Sequence, residues 1–418
     1  MVRPRLTFLA GCTDRLGGLV DRASGVGMQR TIFLEEHHQF RVLARDFLRV
    51  ECSPHVERWE ADGSIPRTIW AKAGELGLLG WDAGSEYGGL GLTDYRYNAI
   101  LAEECVDAGC GSLGTGLCLH NDTLAHYLLE LTDDDQKARW LPGWCSGKLI
   151  TAVAMTEPAA GSDLKAIRTT ARREGDHYVV NGSKTFITNG IHADLVVCAV
   201  KTDPAAGHRG ISLLVLERGM PGFHRGRNLD KVGQKSQDTA ELYFDEVRVP
   251  VINRLGEEGR GFYYLMGGLP QERLGVSVAA VAAMRRALAL TMQHVRTRQA
   301  FGTPLGALQH VRFELADMHT CLQSSQAYLD HAITLHLDGK LSAEDAAGLK
   351  QWTTDRQCEV IDRCLQLHGG YGYMNEYEIA RLWRDGRVAR IYGGANEIMK
   401  EVVGRALRLD TPDNRPPT

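Results

Sequence analysis

The spacing of apolar positions changes twice along the chain. Phe33, Phe40, Leu43, Ala44 and Phe47 recur at helical intervals and predict a helix over Phe33 to Val50. Ser64-Ile65-Pro66 opens a second helix, with proline in the first turn, that stops at Gly77. Asp94 to Val106 and Thr115 to Leu131 read as helices, and Thr132 to Asp135 reads as a cap for one running to Trp140. Near Ile150 the pattern becomes short β-type runs: Ile150–Met155, Tyr178–Val180, Thr185–Thr188, Leu195–Val200, Ile211–Leu216, Leu242–Phe244 and Val247–Val249. Asn181-Gly182 and Asn189-Gly190 are hairpin-type dipeptides among them. From Gly261 the long helical pattern returns, over Phe262–Arg298 with a break or bend expected near Pro270, Leu305–Leu337, a segment capped by Ser342 and running to Leu367, and Ile398–Leu407.

The pattern therefore predicts a multidomain α+β chain. An N-terminal α-helical domain (28–149) leads to a central β-barrel or sandwich domain (150–258) and a C-terminal helical bundle (259–409). A short arm (1–27) and a Pro-rich tail (410–418), expected to be disordered, flank them. The arm carries Arg3, Arg5, Arg15 and Arg22, but its apolar patch Leu6–Ala10 is shorter than the roughly 7–15 residues of a signal core. Asp14 and Asp21 weaken a mitochondrial presequence, so Met28 reads as the working start.

Composition narrows the class. Hydrophobic residues make up 44 % and charged residues 24 %, as in ordinary globular proteins. A net charge of −4 gives no footprint for nucleic acid, and no uninterrupted apolar run reaches the roughly 18 residues of a membrane span. The 10 cysteines include no C-x-x-C pair, so neither a zinc site nor a disulfide framework is expected, and no metal is. Glu36-His37-His38 is read as a solvated helix face. Reduced thiols fit a bacterial cytoplasm, or a mitochondrial matrix if the chain is eukaryotic.

Four places could carry chemistry. Thr156-Glu157-Pro158-Ala159-Ala160-Gly161-Ser162-Asp163 follows a strand, and its small residues and hydroxyls suit either a phosphate or a plain turn. Glu272 and Arg273 are the only charged residues between Gly261 and Met284, so Glu272 is either a buried general base or half of a structural ion pair. Gln366 to Tyr373 ends a helix in two glycines. Ile391 to Ile398 is a glycine loop opening a helix, whose N–H groups could hold an anion.

In order and spacing these segments resemble the acyl-CoA dehydrogenase family, flavoenzymes that desaturate acyl thioesters. The resemblance runs from about Ile32 to Leu407. It includes Glu86-Tyr87-Gly88-Gly89, the Thr156–Asp163 segment, Phe186-Ile187-Thr188-Asn189-Gly190 and Asp238-Thr239-Ala240-Glu241-Leu242. Arg298-Gln299-Ala300-Phe301-Gly302, Gln366–Tyr373 and Ile391–Glu401 complete it. Leu269 to Leu274 most resembles the long-chain branch.

The resemblance implies helical, β and four-helix-bundle domains with FAD in the cleft between the last two, and a homotetramer built as a dimer of dimers. Val153, Ala154, Met155, Thr156, Gly161 and Ser162, with Phe186, Ile187 and Thr188, would line the flavin. Arg298, Gln309 and Gln366, Leu367, His368, Gly369 and Gly370 would reach the FAD of the partner subunit, and Ala395, Asn396 and Glu397 would lie near the cofactor. Tyr263, Pro270, Gln271, Arg273, Gly393 and Gly394 would border the acyl-CoA, with Ser162, His208 and Arg209 also there.

Many family members carry the catalytic glutamate directly after the tyrosine of the Ile391-Tyr392 segment. This chain has Gly393 there, and Glu272 stands where the long-chain and isovaleryl branches place it. Two further departures are Ala159 for a usual glycine and Ala395 for a usual threonine. The implied reaction is α,β-dehydrogenation of a medium- to long-chain acyl-CoA to the trans-2-enoyl-CoA in fatty-acid β-oxidation. Glu272 takes the α-proton, the β-hydride goes to the flavin, and electrons leave to an electron-transfer flavoprotein. Branched or sterol-side-chain thioesters remain open as substrates. A flavin oxidase or monooxygenase, or a non-catalytic FAD-binding subunit, remains open on the same fold.

Overall fold

A computed structural model describes residues 27–409. The expectations for the arm before residue 27 and the tail after 409 lie outside these residues. Residues 32–409 belong to one compact unit.

The unit begins with six helices: α1 (Glu35–Phe47), α2 (Val56–Asp62), α3 (Arg67–Glu75), α4 (Arg96–Asp107), α5 (Gly111–Cys118) and α6 (Asp134–Cys145). Asp133 caps α6 with Gln136 in a reciprocal box, as the sequence suggested. The predicted helix 115–131 is not continuous. α5 gives way to single π turns over Leu119–Thr123 and His126–Glu130, which wind His120, Asn121 and Asp122 into the interior. His37 also departs from expectation. Rather than facing solvent it is fully buried, with Nδ1 accepting from the Leu34 N–H and Nε2 3.2 Å from Asp94. α4 is buried nearly all round: Tyr97, Leu101 and Cys105 join the N-terminal core, while Tyr95 ahead of it and Ala99, Ala102 and Val106 join the bundle core.

The middle segment holds β1 (Thr151–Ala154), β2 (Thr170–Glu174), β3 (His177–Thr188), β4 (Leu195–Lys201), β5 (Ile211–Glu217), β6 (Phe223–Asn228), β7 (Thr239–Pro250) and β8 (Arg254–Leu255). They make one eight-stranded sheet in the order β6-β7-β3-β2-β4-β5-β8, with β1 parallel to β4. The sheet folds over, so that Ala152, Val196, Cys198 and Leu214 share a core with Tyr178, Val180, Leu242 and Phe244. The alternate positions Leu195, Val197, Leu213 and Val215 pack against Trp140 and Leu141 of α6. Burial on both faces explains why β4 and β5 read as unbroken apolar runs.

Both hairpin expectations fail here: β3 and β4, on either side of Asn189-Gly190, do not pair with each other. Asn181-Gly182 is not a hairpin but a bulge inside β3, where a Cβ on Gly182 would stand 2.7 Å from the Thr169 Cα. β2 and β6 were not predicted, because their Thr-Ala-Arg-Arg-Glu and Phe-His-Arg-Gly-Arg-Asn sequences carry few apolar residues.

The last segment contains α7 (Gly261–Thr297), α8 (Gln309–Leu337), α9 (Ala343–His368), α10 (Glu378–Gly386) and α11 (Asn396–Ala406), with a small β9–β10 hairpin (Gln299–Ala300, Thr303–Pro304) between α7 and α8. α7 is one continuous helix of 37 residues with Pro270 inside it, so the chain is not broken there, and it packs against α4, α8 and α9. By length and mean hydropathy α7 could cross a membrane, unlike what the search for unbroken apolar runs implied. Leu274, Val278, Val281, Met284 and Leu288 instead place it at the centre of the bundle core.

Candidate functional site

Midway along the first half of α7 a buried polar knot forms. Glu272 is half-buried, and the protein around it displaces enough water to raise its carboxyl pKa above the usual range, with Arg273 and Lys350 opposing the shift. Neither cation pairs with it directly. Arg273 points its guanidinium at the carbonyls of Gly393 and Ala343, each 3.5 Å away. Lys350, fully buried on α9, donates to the Gly394 carbonyl at 2.8 Å and to Asn396 Oδ1 at 2.9 Å, and burial lowers its pKa to about 8.

These bonds fix the loop before α11. Gly393 and Gly394 have φ of 63° and 93°, a region that favours glycine. A Cβ built on Gly393 would lie 3.6 Å from Glu272 Oε1 and 3.6 Å from Val276 Cγ2. Positions 272 and 393 therefore address the same point in space. No backbone partner takes the N–H of Gly393 or Gly394 among the described residues. Pro270 and Gln271 precede Glu272 on the same helix, but Gln271 is committed to Asp122, its Nε2 lying 2.6 Å from Oδ1.

A second group forms a ledge where β1 and β3 end. Val153, Met155 and Thr156 are half-buried along one side, whereas the side chains of Ala154 and Ile187 turn into the β core. The Thr156 carbonyl accepts from the Thr185 N–H at 2.9 Å, which ties the two strands' ends together. Gly161 and Ser162 are exposed in the loop beyond. That loop is braced from below by Glu157, which takes hydrogen bonds from the backbone of Arg168 and Thr169 and pairs at 2.8 Å with fully buried Lys184. Sequence reading passed over Lys184, since a lysine in a strand usually reads as a solvent position. Phe186 is 68 % exposed and has φ of 60°. A bulky residue in that region is strained, and strain of this kind concentrates where a side chain must be presented to a ligand. Thr188 lies half-buried two residues on.

The third group surrounds the start of α7. His208 Nε2 lies 3.3 Å from the Tyr263 hydroxyl and its ring meets Phe262, while Arg260 covers the Tyr263 ring at 4.7 Å. Exposed Arg209 follows His208. Phe262 and Arg260 were not singled out by sequence.

The fourth group lies at the far end of the bundle. Arg298 caps α7 and stands 5.4 Å from the Tyr371 ring, Gln309 opens α8, and exposed Gln366, Gly369 and Gly370 end α9. Leu367 packs on the bundle core, and His368 is buried and stacks on His294 at 4.4 Å. Among the described residues no hydrogen bond or ion pair joins these four groups. Ala395 begins α11 without a side-chain cap, and Glu397 is exposed in its first turn. Asn396 is buried, with its amide spent on Lys350, Thr354 and Asp355, so only its backbone is left for a ligand. Arg273 is directed toward the same loop by its two 3.5 Å contacts. No cluster of metal-ligating side chains occurs among the described residues.

Three family profiles match in succession: acyl-CoA dehydrogenase N-terminal domain over residues 34–148, middle domain over 152–247 and C-terminal domain over 259–408. The chain belongs to the acyl-CoA dehydrogenase family. It is 43 % identical over 392 residues to the long-chain specific acyl-CoA dehydrogenase of Mus musculus mitochondria, covering 93 % of this chain and 90 % of that one. The crystal structure of an acyl-CoA dehydrogenase from Geobacillus kaustophilus superposes with a TM-score of 0.88 at 50 % identity, over 90 % of this chain and 99 % of that one. A glutaryl-CoA dehydrogenase from Mycobacterium smegmatis, solved in complex with FADH2, superposes with a TM-score of 0.84 at 25 % identity, over 92 % and 97 %. This member of the family is an FAD-dependent oxidoreductase acting on the CH–CH bond of acyl-CoA thioesters.

Proposed function

We propose that this acyl-CoA dehydrogenase acts on medium- to long-chain acyl-CoA with Glu272 as its general base. The observation that carries this is the 3.6 Å between Glu272 Oε1 and the Cβ position of Gly393, the place from which other family members supply the base.

FAD fits the ledge. Phe186 offers a strained, exposed ring, Thr156 and Thr188 offer hydroxyls, and the loop over the Glu157–Lys184 pair offers exposed backbone at Gly161 and Ser162. When bound, FAD supplies the acceptor for the β-hydride. Glu272 removes the α-proton and is competent once ionised, so its raised pKa places the acid limb of the rate above the ordinary carboxylate range. The free N–H groups of Gly393 and Gly394 suit a thioester oxygen that gains charge as the α-proton leaves. His208, Arg209, Arg260 and Tyr263 form an aromatic, basic rim suited to the CoA portion.

Arg298, Gln309 and Gln366–Gly370 are tied to the bundle and not to the ledge, which supports their serving the FAD of a partner subunit in a dimer of dimers. An electron-transfer flavoprotein is the electron acceptor, and in a bacterium the site of action is the cytoplasm. The domain division at 149/150 and 258/259 belongs to the same reading. The test is to titrate the yellow holoprotein with straight acyl-CoAs from four to sixteen carbons. Bleaching that strengthens with chain length supports the reading, and no bleaching with any acyl-CoA sinks it.

A further inference from the structure

The π turn Leu119–Thr123 ties three parts of the molecule together through three successive buried side chains. The His120 ring lies 3.1 Å from the Trp144 carbonyl and 2.8 Å from the Thr151 hydroxyl, so it reaches α6 and β1, the strand that ends in the flavin ledge. Asn121 accepts from the Gly80 N–H and donates to the Leu78 carbonyl, both at 3.0 Å, and holds the loop before α4. Asp122 faces α7. Gln271 Nε2 donates to its carbonyl at 3.1 Å and to its Oδ1 at 2.6 Å, and the Tyr95 hydroxyl reaches Oδ2 at 3.3 Å.

Gln271 and Gly275 are one helical turn apart on the face of α7 that meets Asp122, and a Cβ on Gly275 would stand 2.6 Å from Asp122 Oδ2. Glu272 and Val276 are the next pair, about 100° round the helix, and meet the Cβ position of Gly393 at 3.6 Å each. The stretch that carries the base is poorly suited to hold this setting alone. It contains Gly267, Gly268, Pro270 and Gly275. Each glycine weakens a helix by about 1 kcal/mol, and the proline leaves out a backbone hydrogen bond. A small rotation of α7 about its axis would swing the Glu272 carboxylate aside, and a misplacement of about 1 Å can cost about 10²-fold in rate.

We propose that Asp122 is the positioning residue of the general base: through Gln271 and the close approach at Gly275 it fixes the rotation of α7 that aims Glu272 at the substrate α-carbon. This rests on the reading of Glu272 given above. The role is exerted through α7 and not on the substrate. Burial, with Asp82 and Glu272 nearby, raises the Asp122 pKa to about 7, so asparagine copies its protonated form and keeps an oxygen for Gln271.

The test uses the FAD-loaded enzyme and measures, by rapid mixing with dodecanoyl-CoA, the limiting rate of flavin reduction and the affinity for the acyl-CoA. Asp122→Ala and Gln271→Met should each slow reduction by about 10–100-fold and leave affinity nearly unchanged. Asp122→Asn should recover most of the rate, since it keeps the acceptor for Gln271. Made on Glu272→Gln, the first two substitutions should cause little further loss, because a residue that acts through the base has nothing left to aim. The visible flavin spectrum reports whether each variant is folded, and Gln271→Met carries the test where Asp122→Ala is not. Unchanged rates, a loss confined to affinity, or equal losses with and without Glu272 would overturn the proposal. In that case a slow Glu272→Gln still upholds Glu272 as the base, whereas a Glu272→Gln that bleaches like wild type removes both.

Discussion

Replacing Glu272 by glutamine tests the base with little disturbance to anything else. The side chain keeps its shape. Arg273 and Lys350 keep their partners, since both donate to carbonyl oxygens of Ala343, Gly393 and Gly394 and not to the Glu272 carboxylate. No cation is orphaned, so the penalty for breaking a buried pair does not arise. Thermal stability should hold or rise slightly, because a carboxylate disfavoured by burial has been removed. Loss of a positioned general base should slow flavin reduction by about 10²–10⁴-fold, while acyl-CoA affinity changes little. A second substitution sharpens the test. In Glu272→Gly/Gly393→Glu the new carboxylate starts from a Cβ position 3.6 Å from where Oε1 stood. Position 393 has φ of 63°, and a residue with a Cβ there gives up about 1–2 kcal/mol. The double variant should therefore reduce flavin well above Glu272→Gln yet below wild type. Rapid-mixing measurement of flavin bleaching with dodecanoyl-CoA reads both. Wild-type bleaching by Glu272→Gln would refute the assignment of the base, and a double variant as slow as Glu272→Gln would refute the equivalence of the two positions.

Asp122 is buried, and burial, with the charge of Asp82 nearby, raises its pKa from 3.8 to about 7 against the Gln271 hydrogen bond. The native state therefore holds a proton that the unfolded chain releases, so stability is full below about pH 4 and falls as pH rises to about 7, by on the order of 4 kcal/mol. Asp122→Asn should flatten the decline in melting temperature between pH 5 and 8; an unchanged slope would count against a protonated Asp122. Phe186→Gly should relieve the positive φ and raise the melting temperature of the flavin-free protein, while weakening FAD retention in a dialysis assay. Lys184→Met should destabilise by about 3–5 kcal/mol by leaving Glu157 buried and unpaired, and adding Glu157→Gln should recover much of this in denaturant titrations. Equal stability of the single and double variants would show that the pair is not coupled.

Much of the architecture is legible in apolar spacing, because long helices and doubly buried strands repeat their pattern over many residues. α9 with its Ser342 cap and the apolar runs of β4 and β5 stand close to where spacing put them. The failures share a cause. β2 and β6 pair through backbone that any side chain can carry, and the bulge at Gly182 is set by the approach of Thr169, 13 residues earlier. Within the site, Glu272 is visible as a carboxylate in an apolar stretch. The same sequence cannot show that Arg273, its neighbour, turns away to a loop 120 residues on. Lys184 and Lys350 are invisible for a related reason: a lysine is expected in solvent, and only the fold reveals the carbonyls and carboxylate that hold these two inside.

The position of the base and the shape of the glycine loop are linked. A glutamate at 393 would have to accept a left-handed backbone, or the loop would have to change. Moving the carboxylate to α7 removes that requirement. Gly393 and Gly394 are then free to adopt φ of 63° and 93°. In this conformation both carbonyls turn toward Arg273 and Lys350 while both N–H groups stay unused by the backbone. A Cβ at 394 would in addition stand 2.7 Å from Met399 Cε, so the loop's present path depends on both glycines. The base itself gains rigidity from sitting on α7, which packs against α4, α8 and α9, whereas position 393 lies in a loop. A helix-borne base and a double-glycine loop are thus one arrangement, and Gly393→Ala alone, with Glu272 intact, should displace the N–H groups offered to the thioester oxygen and so lower kcat, and kcat/KM with it, in steady-state measurements; an unchanged kcat would refute that role.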